Sequence, residues 1–417
     1  MNQSEQVALS SKKLPWYKEV NKNQWKSLIA SGFGWMLDSM DVMIYSMVLV
    51  YVMKDLSMNQ SMAGFLATLT LLSSAVGGLI FGVVADRFGR VRSLIISIFV
   101  YSVFTALCGF SQTITQLAVC RLLLGLGMGG EWVAGAALVT ESWPHKHRGK
   151  AMGLVQSSWA IGYAIAAIVT AILVPLFGWR SAFFFGIVPA IIILFVRKGT
   201  EEPQIWKNRD EKNRGSFFSL FKPGVLKWTI LGALLSICAQ FGYWGLFTWI
   251  PAYLSTPAAD GGAGLNIVKS TTFIVVMQLG AWLGYSSFGF MADKFGRKIT
   301  FIIFFGLAAI FVPIYGLIHV PSLLLLIGPF VAFFGSGYFS GFGSVLAELF
   351  PTEIRATGQG FCYNFGRALA AFAPTFIGIL ATSIGLGAAF GFLSFAFAIA
   401  VLLVIFFLPE TNGWELK

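Results

Sequence analysis

The chain has 417 residues, of which 57% are hydrophobic and only 11% charged, and its mean hydropathy is +0.77. Soluble globular domains carry about 25% charged residues, so an ordinary water-soluble domain is excluded. The net charge of +11 would suit nucleic acid or another anionic partner, but the placement of the charges along the chain argues for a different origin.

A polar, lysine-bearing segment comes first, without the apolar core and cleavage site of a removable signal peptide. Apolar runs separated by charged or Pro/Gly punctuation then predict helices near 27–53, 61–85, 91–111, 115–140, 148–175 and 179–197. A second set follows near 226–254, 270–292, 299–319, 322–349, 356–383 and 386–408. A spanning helix needs ~20 largely apolar residues, and these runs meet that length. Between the sets lies the most charged stretch of the chain, a natural linker. The expected organisation is a cytoplasmic segment 1–26, a six-helix bundle 27–197, a cytoplasmic linker 198–226, a second six-helix bundle 227–408 and a cytoplasmic tail 409–417. The 46 glycines fit membrane helices, which approach closely where residues are small.

Of the 29 Lys and Arg residues, Lys54, Arg180 and Lys269 fall on one side of this layout, Arg121 and Arg367 fall within helices, and all the others fall on the opposite side. Cytoplasmic loops are the ones enriched in Lys and Arg, so both termini are expected in the cytoplasm. The basic charge then reflects topology, and no nucleic-acid element is needed. Cys108, Cys120, Cys238 and Cys362 each sit in an apolar run with no CxxC or His/Cys pairing, and they read as small packing residues. No metal site, cofactor motif or enzymatic constellation is visible. His145 and His147 fall in a loop and His319 ends a helix, without metal-spaced partners. No P-loop or other nucleotide-binding pattern appears.

The strongest signal is an internal repeat. Gly82-x-x-x-Asp86-Arg87-x-Gly89-Arg90 between helices 2 and 3 returns as Gly289-x-x-x-Asp293-Lys294-x-Gly296-Arg297-Lys298 between helices 8 and 9. Glu141-x-x-Pro144-x-x-x-Arg148-Gly149 before helix 5 returns as Glu348-x-x-Pro351-x-x-x-Arg355-Ala356 before helix 11. Glycines there allow tight turns, and the acids and bases can pair and cap helix ends across the bundle interface.

These paired loops resemble the cytoplasmic motifs of the major facilitator superfamily. The resemblance implies an all-α membrane fold of about 12 spanning helices in two six-helix bundles, monomeric, working by alternating access. It also implies a gating role for Asp86, Arg87, Arg90, Asp293, Arg297, Glu141, Arg148, Glu348 and Arg355, the contacts holding one state and breaking when the halves rock. The plainer reading of Arg90, Arg92, Arg297 and Lys298 is that they only satisfy the positive-inside rule. Parallel repeats place the substrate near midplane between the halves.

Ionisable residues at bilayer depth are expensive and are functional candidates. Asp38 and Asp41 on helix 1, Arg121 and Glu131 on helix 4 and Arg367 on helix 11 qualify. Asp38 and Asp41 are three apart and share a helix face with Tyr45; two close, poorly solvated carboxylates cannot easily both carry charge. Proton coupling is one role for them, bracing a neighbouring helix the other. Arg367, with Tyr363 and Asn364 close by in sequence, offers a bidentate fork for a carboxylate or a structural partner for Asp38 or Asp41. Glu131 stands about 15 Å along the helix from Arg121, too far to pair with it, and reads equally as a second proton site or a structural partner. Gln156, Trp159 and Tyr163 on helix 5, Gln240, Tyr243 and Trp244 on helix 7, Gln278 on helix 8 and Tyr338 on helix 10 complete a candidate cavity.

Pro15-Trp16-Tyr17, Asn23-Gln24-Trp25, Leu37-Asp38-x-x-Asp41, Gly127-Met128-Gly129-Gly130-Glu131, Glu141-Ser142-Trp143-Pro144 and Gly178-Trp179-Arg180 narrow the likeness. Together they resemble the first half of sialate:proton symporters, whose relatives carry lactate and other monocarboxylates or aromatic acids. The family's Asp-Gly-Phe-Asp is here Asp38-Ser39-Met40-Asp41, and the linker leaves no room for the extra pair of helices of the sialate transporter. The resemblance implies proton-coupled symport of an organic acid anion, a monocarboxylate such as lactate or sialic acid, across the cell membrane. A proton-coupled efflux antiporter for drugs or metabolites is the alternative.

Overall fold

The computed structural model describes residues 16–144, 147–191, 201–202, 217–351 and 354–411. Expectations for Pro15, His145, most of the linker and the last residues of the tail therefore lie outside the described residues. Among the described residues, eleven helices are long and apolar enough to cross a membrane. They are α1 (Lys22–Asp55), α2 (Gln60–Phe88), α3 (Arg90–Cys108), α4 (Ile114–Ser142), α5 (Arg148–Phe177), α7 (Leu226–Ser255), α8 (Ile267–Phe295), α9 (Arg297–Leu317), α10 (Pro321–Leu349), α11 (Thr357–Ile384) and α12 (Leu386–Phe407). A shorter apolar helix, α6 (Trp179–Ile191), stands at the sixth predicted position.

The repeat is written into the helix ends. Asn59 opens α2 and Asn266 opens α8, each accepting a backbone N–H three residues on, from Met62 at 2.8 Å and Lys269 at 2.9 Å. An N-cap side chain of this kind satisfies one of the orphan donors of the first turn. Gly89 and Gly296 turn the chain from α2 to α3 and from α8 to α9 with φ of +110° and +93°, a region that L side chains rarely adopt. Helix α1 begins five residues before its predicted start, because Asn21 and Gln24 form a capping box ahead of the apolar run.

Among the described residues, five helices expected to be continuous are broken, and α6 is one of them, turning at Gly186 after Phe185. Helix α7 breaks after Phe247, ahead of Pro251, and α11 breaks after Ala370, ahead of Pro374. Proline has no N–H and crowds the preceding turn, so both helices release carbonyls inside the apolar layer. Helix α10 breaks at Gly337 and α12 at Gly391.

Helices α1 and α7 run through the interior: 78% of the apolar window of each is buried, against 28% for α12. In the first half α1 packs on α5 and α4, and α4 also packs on α2 and α3. In the second half α7 packs on α11 and α12, and α8 on α10. The halves meet where α5 packs on α8 and α2 on α11.

Candidate functional site

Along α1, residues 31, 34, 38, 41 and 45 share one face, and this face collects buried charge. Asp38 and Asp41 are fully buried, and so is Glu131 of α4 to within 1%. The glycine at position 34 makes room for Glu131: an added Cβ there would stand 2.5 Å from its Oε1. Ser31, one turn earlier, donates to the Gly135 carbonyl at 3.0 Å and ties α1 to α4. Neither carboxylate oxygen of Asp38, Asp41 or Glu131 has a hydrogen-bond partner among the described residues. At the other end of the stripe the Arg121 guanidinium lies 4.0 Å over the Tyr45 ring. Positions 34 and 45 are about 16 Å apart at 1.5 Å per residue, so Arg121 and Glu131 occupy separate levels, as their spacing on α4 predicts.

Arg367 faces this stripe from α11 in the second half. It is 1% exposed, its charge acts on both Asp38 and Glu131, and its Nε and Nη1 have no hydrogen-bond partner among the described residues. Leaving such groups unpaired in a low-dielectric interior costs several kcal/mol. A planar anion or water placed between Arg367 and the carboxylates would complete the set.

Aromatic rings wall this junction. Trp35, one turn before Asp38, packs against Trp132 at 4.7 Å and Trp159 at 4.6 Å. Trp132 continues to Tyr363 of α11 at 5.6 Å, and the Arg367 guanidinium lies 5.4 Å from the Tyr363 ring. On the other side Trp159 meets Trp244 at 6.0 Å, and its indole N–H donates to the Tyr243 hydroxyl across the halves. Gln240 donates to the Tyr363 carbonyl at 2.8 Å, so it buttresses α11 while its Oε1 stays unpartnered. Asn364 turns to α2, where an added Cβ on Gly78 would stand 3.0 Å from its Oδ1. Gln156 and Gln278 are buried on α5 and α8, which pack on each other across the junction. Tyr338 donates to Ala239 at 2.8 Å and belongs to the packing of the second half.

Trp35 and Trp132 escaped the sequence reading. Their signal is register alone: Trp35 is three residues before Asp38, and Trp132 is the neighbour of Glu131.

The two halves are sealed at the end remote from the repeated loops. Thr68 of α2 donates to the Ala371 carbonyl at 2.6 Å and lies 2.7 Å from the Thr375 hydroxyl. Tyr163 of α5 donates to the Phe247 carbonyl at 2.9 Å, and Thr271 of α8 to Ala167 at 3.2 Å. Ala371 and Phe247 lie at the helix breaks, so hydroxyls of one half take up carbonyls freed in the other. Trp249 joins the breaks to each other by donating to Pro374 at 3.0 Å. Above the seal opens a crevice of about 760 Å³ between the halves, lined by Val50, Gln60, Trp249, Asp260 and His319 among others.

At the loop end the repeated residues form pairs inside each half. Arg90 pairs with Glu141 at 2.8 Å. Arg297 pairs with Asp293 at 2.6 Å and Glu348 at 3.6 Å. Arg148 and Arg355 donate to the carbonyls of Trp143 at 3.1 Å and Ala347 at 2.8 Å, closing the turns that enter α5 and α11. Arg87 is exposed, and the side chain of Asp86 lies outside the described residues. The structure adds a third repeated element. Glu202, following α6, accepts the N–H groups of Arg90 and Val91 at 2.7 and 3.0 Å, and Glu410, following α12, accepts those of Arg297 and Lys298 at 2.8 and 3.2 Å. A carboxylate at a helix N-terminus satisfies orphan donors and meets the positive end of the dipole. The Glu202-Pro203 and Pro409-Glu410 pairs were the available clue. His147, in the same region, is buried against Glu19 at 2.8 Å, a structural contact.

Comparison with known proteins decides the family. The family model described as Major Facilitator Superfamily matches residues 32–284 and 262–417. The chain belongs to the Major Facilitator Superfamily. Among its relatives are the "Probable 4-methylmuconolactone transporter" of Cupriavidus pinatubonensis, 36% identical over 95% of this chain and 93% of that protein. The sialic acid transporter NanX of Escherichia coli is 32% identical over 94% of this chain and 96% of that one. The fold is also that of a solved D-xylose–proton symporter, with a TM-score of 0.74 at 19% identity over 95% of this chain and all of that one. The protein is thus a multi-pass membrane transporter, and the junction of the two halves of this major facilitator is its candidate substrate site.

Proposed function

We propose that this transporter carries an organic acid anion together with protons, by alternating access across the cell membrane. Arg367 carries the reading: it is a buried guanidinium with unpartnered donors, facing Asp38 and Glu131 from the opposite half. An efflux site for lipophilic cations would have no use for it. Seating a carboxylate on Arg367 cancels the positive charge that Asp38 and Glu131 feel, so a proton joins the site as the anion binds. Sialic acid, named for one relative, has the required carboxylate, and monocarboxylates such as lactate share it. Asp38, Asp41 and Glu131 supply the proton sites. Arg367 anchors the anion, and Tyr363, Asn364, Gln240, Tyr243, Gln278, Gln156 and Trp159 shape the space around it.

In this reading both termini and the repeated loops are cytoplasmic, and the sealed end faces outward. The bundles 27–197 and 227–408 rock as units, in a monomer. The Arg90–Glu141 and Asp293–Arg297–Glu348 clusters, with Asp86, Arg87, Arg148 and Arg355, change partners as the loop end opens and closes. The test is calorimetric titration of the purified protein with sialic acid, lactate and benzoate, each beside its neutral amide. The acid should bind where its amide does not. Equal affinity for acid and amide would remove the anion from the account.

A further inference from the structure

Tyr101 is a buried hydroxyl to which none of the preceding roles applies. It lies on α3, is 0% exposed, and its Oη has no hydrogen-bond partner among the described residues. A buried hydroxyl in that state forfeits about 1–3 kcal/mol, so its placement calls for a reason. Its position is tightly set. An added Cβ on Gly127 of α4 would stand 2.6 Å from the Tyr101 amide nitrogen and 3.0 Å from its Cβ, and Ser97 donates to the Gly127 carbonyl at 2.7 Å. Helix α3 is therefore pressed onto α4 at the level of this ring.

Register fixes what surrounds it. One turn before Tyr101, Ile98 shares the notch at Gly34 with the Glu131 carboxylate: an added Cβ on Gly34 would stand 3.4 Å from Ile98 Cδ1 and 2.5 Å from Glu131 Oε1. One turn after it, the Thr105 hydroxyl donates to the Tyr101 carbonyl at 2.8 Å and lies beside Asp41. Helices α1 and α3 run in the same direction, so position 101 stands at the level of Asp38, between Glu131 below and Asp41 above. The charges of Asp38, Asp41 and Glu131 all act on the phenol. Asp38 and Asp41 face it from α1 and Glu131 from α4, while Arg367 of α11 acts on Asp38 and Glu131 from the other half.

We propose that the Tyr101 hydroxyl relays the coupled proton between Glu131 and the Asp38–Asp41 pair. This rests on the proton-coupled reading above. No carboxyl oxygen among the described residues bonds the phenol directly, so a bridging water serves on each side. The phenol passes its proton toward one carboxylate while its oxygen takes one from the side of the carboxylic acid, so it ends neutral and charge moves without a phenolate. The proton's route then lies inside the first half, among α1, α3 and α4. The anion's route lies between the halves, and the two meet only at Asp38 beside Arg367.

The test needs no substrate. Infrared difference spectra after a pH jump follow protonation of buried carboxyls in the whole protein in lipid, with Asp41→Asn and Glu131→Gln assigning the bands. Tyr101→Phe keeps the ring and its packing, so the melting temperature and the final band amplitudes should match the wild type. The rate of proton arrival at the farther carboxyl should fall about tenfold or more. An unchanged rate overturns the relay and leaves proton coupling standing. Loss of amplitude together with a lowered melting temperature overturns it in favour of a packing role. A wild-type protein with no titrating buried carboxyl defeats the coupling reading and the relay together.

Discussion

Replacing Gly64 by alanine probes the closure of the halves with a single methyl group. A Cβ at this position of α2 would collide with the Pro374 carbonyl oxygen and would stand 2.9 Å from both the Pro374 carbonyl carbon and the Thr375 Cα. These are backbone atoms at a helix break, so no side chain can swing aside to make room. Relief requires the two halves to part at this end by about 1 Å, judged against carbon contacts of about 3.5–4.0 Å. That stretches Thr68 to Ala371, Thr68 to Thr375 and Tyr163 to Phe247 beyond hydrogen-bonding range. At about 1 kcal/mol per bond, losing two or three of them shifts the conformational equilibrium by about 2–3 kcal/mol, or about 30- to 150-fold. Ser46 reports the shift: it is 4% exposed and lines a cavity of about 10 Å³ beneath the seal, with Tyr45, Thr70, Arg121 and Trp244. Ser46→Cys, in a background where Cys108, Cys120, Cys238 and Cys362 are replaced, should react slowly with a membrane-impermeant maleimide. Adding Gly64→Ala should speed labelling by that factor. Labelling at the unaltered rate would refute the claim that this seam is what holds the end shut.

Two further substitutions address separate parts of the account. Arg367→Ala should weaken binding of a transported carboxylate about 100-fold, since a charge-assisted bidentate contact is worth about 3 kcal/mol. Arg367→Lys, which keeps the charge and loses the fork, should recover about half of that free energy; calorimetric titration measures both, and equal affinities in all three proteins would remove Arg367 from the site. Glu410→Gln removes the charge that caps the N-terminus of α9 and should destabilise the protein by about 1 kcal/mol, read as a lowered thermal midpoint. Glu202→Gln should do the same for α3, and a change confined to one of them would break the proposed symmetry of the repeat.

The charged core was legible in the chain because the apolar background is so uniform. Asp38, Asp41, Arg121, Glu131 and Arg367 stand out in runs that otherwise carry no charge, and the structure buries all five. What the sequence could not convey is which of them meet. That depends on Gly34 yielding space to Glu131 and on α11 presenting Arg367 to α1, contacts between residues far apart in the chain. The aromatic wall was hidden for the opposite reason: with 41 Phe, 13 Trp and 11 Tyr, no single ring stands out, and only the register of Trp35 with Asp38 marks it. The helix breaks were signalled by Pro251 and Pro374, but hydropathy runs smoothly through both and masks them. The repeated loops are turns, and within each half Arg90 pairs with Glu141 and Arg297 with Asp293 and Glu348, partners that depend on which helices are neighbours and not on the spacing of the motif.

The central claim is that anion and proton cross together, and proton flux measures it directly. The protein is reconstituted into liposomes enclosing a pH dye, with no imposed gradient, and sialic acid, lactate, benzoate or a neutral sugar is added outside. The account predicts internal acidification on addition of at least one carboxylate, none with the sugar, and none in Arg367→Ala. Carboxylate uptake with no accompanying proton movement, or acidification that survives Arg367→Ala, would contradict it.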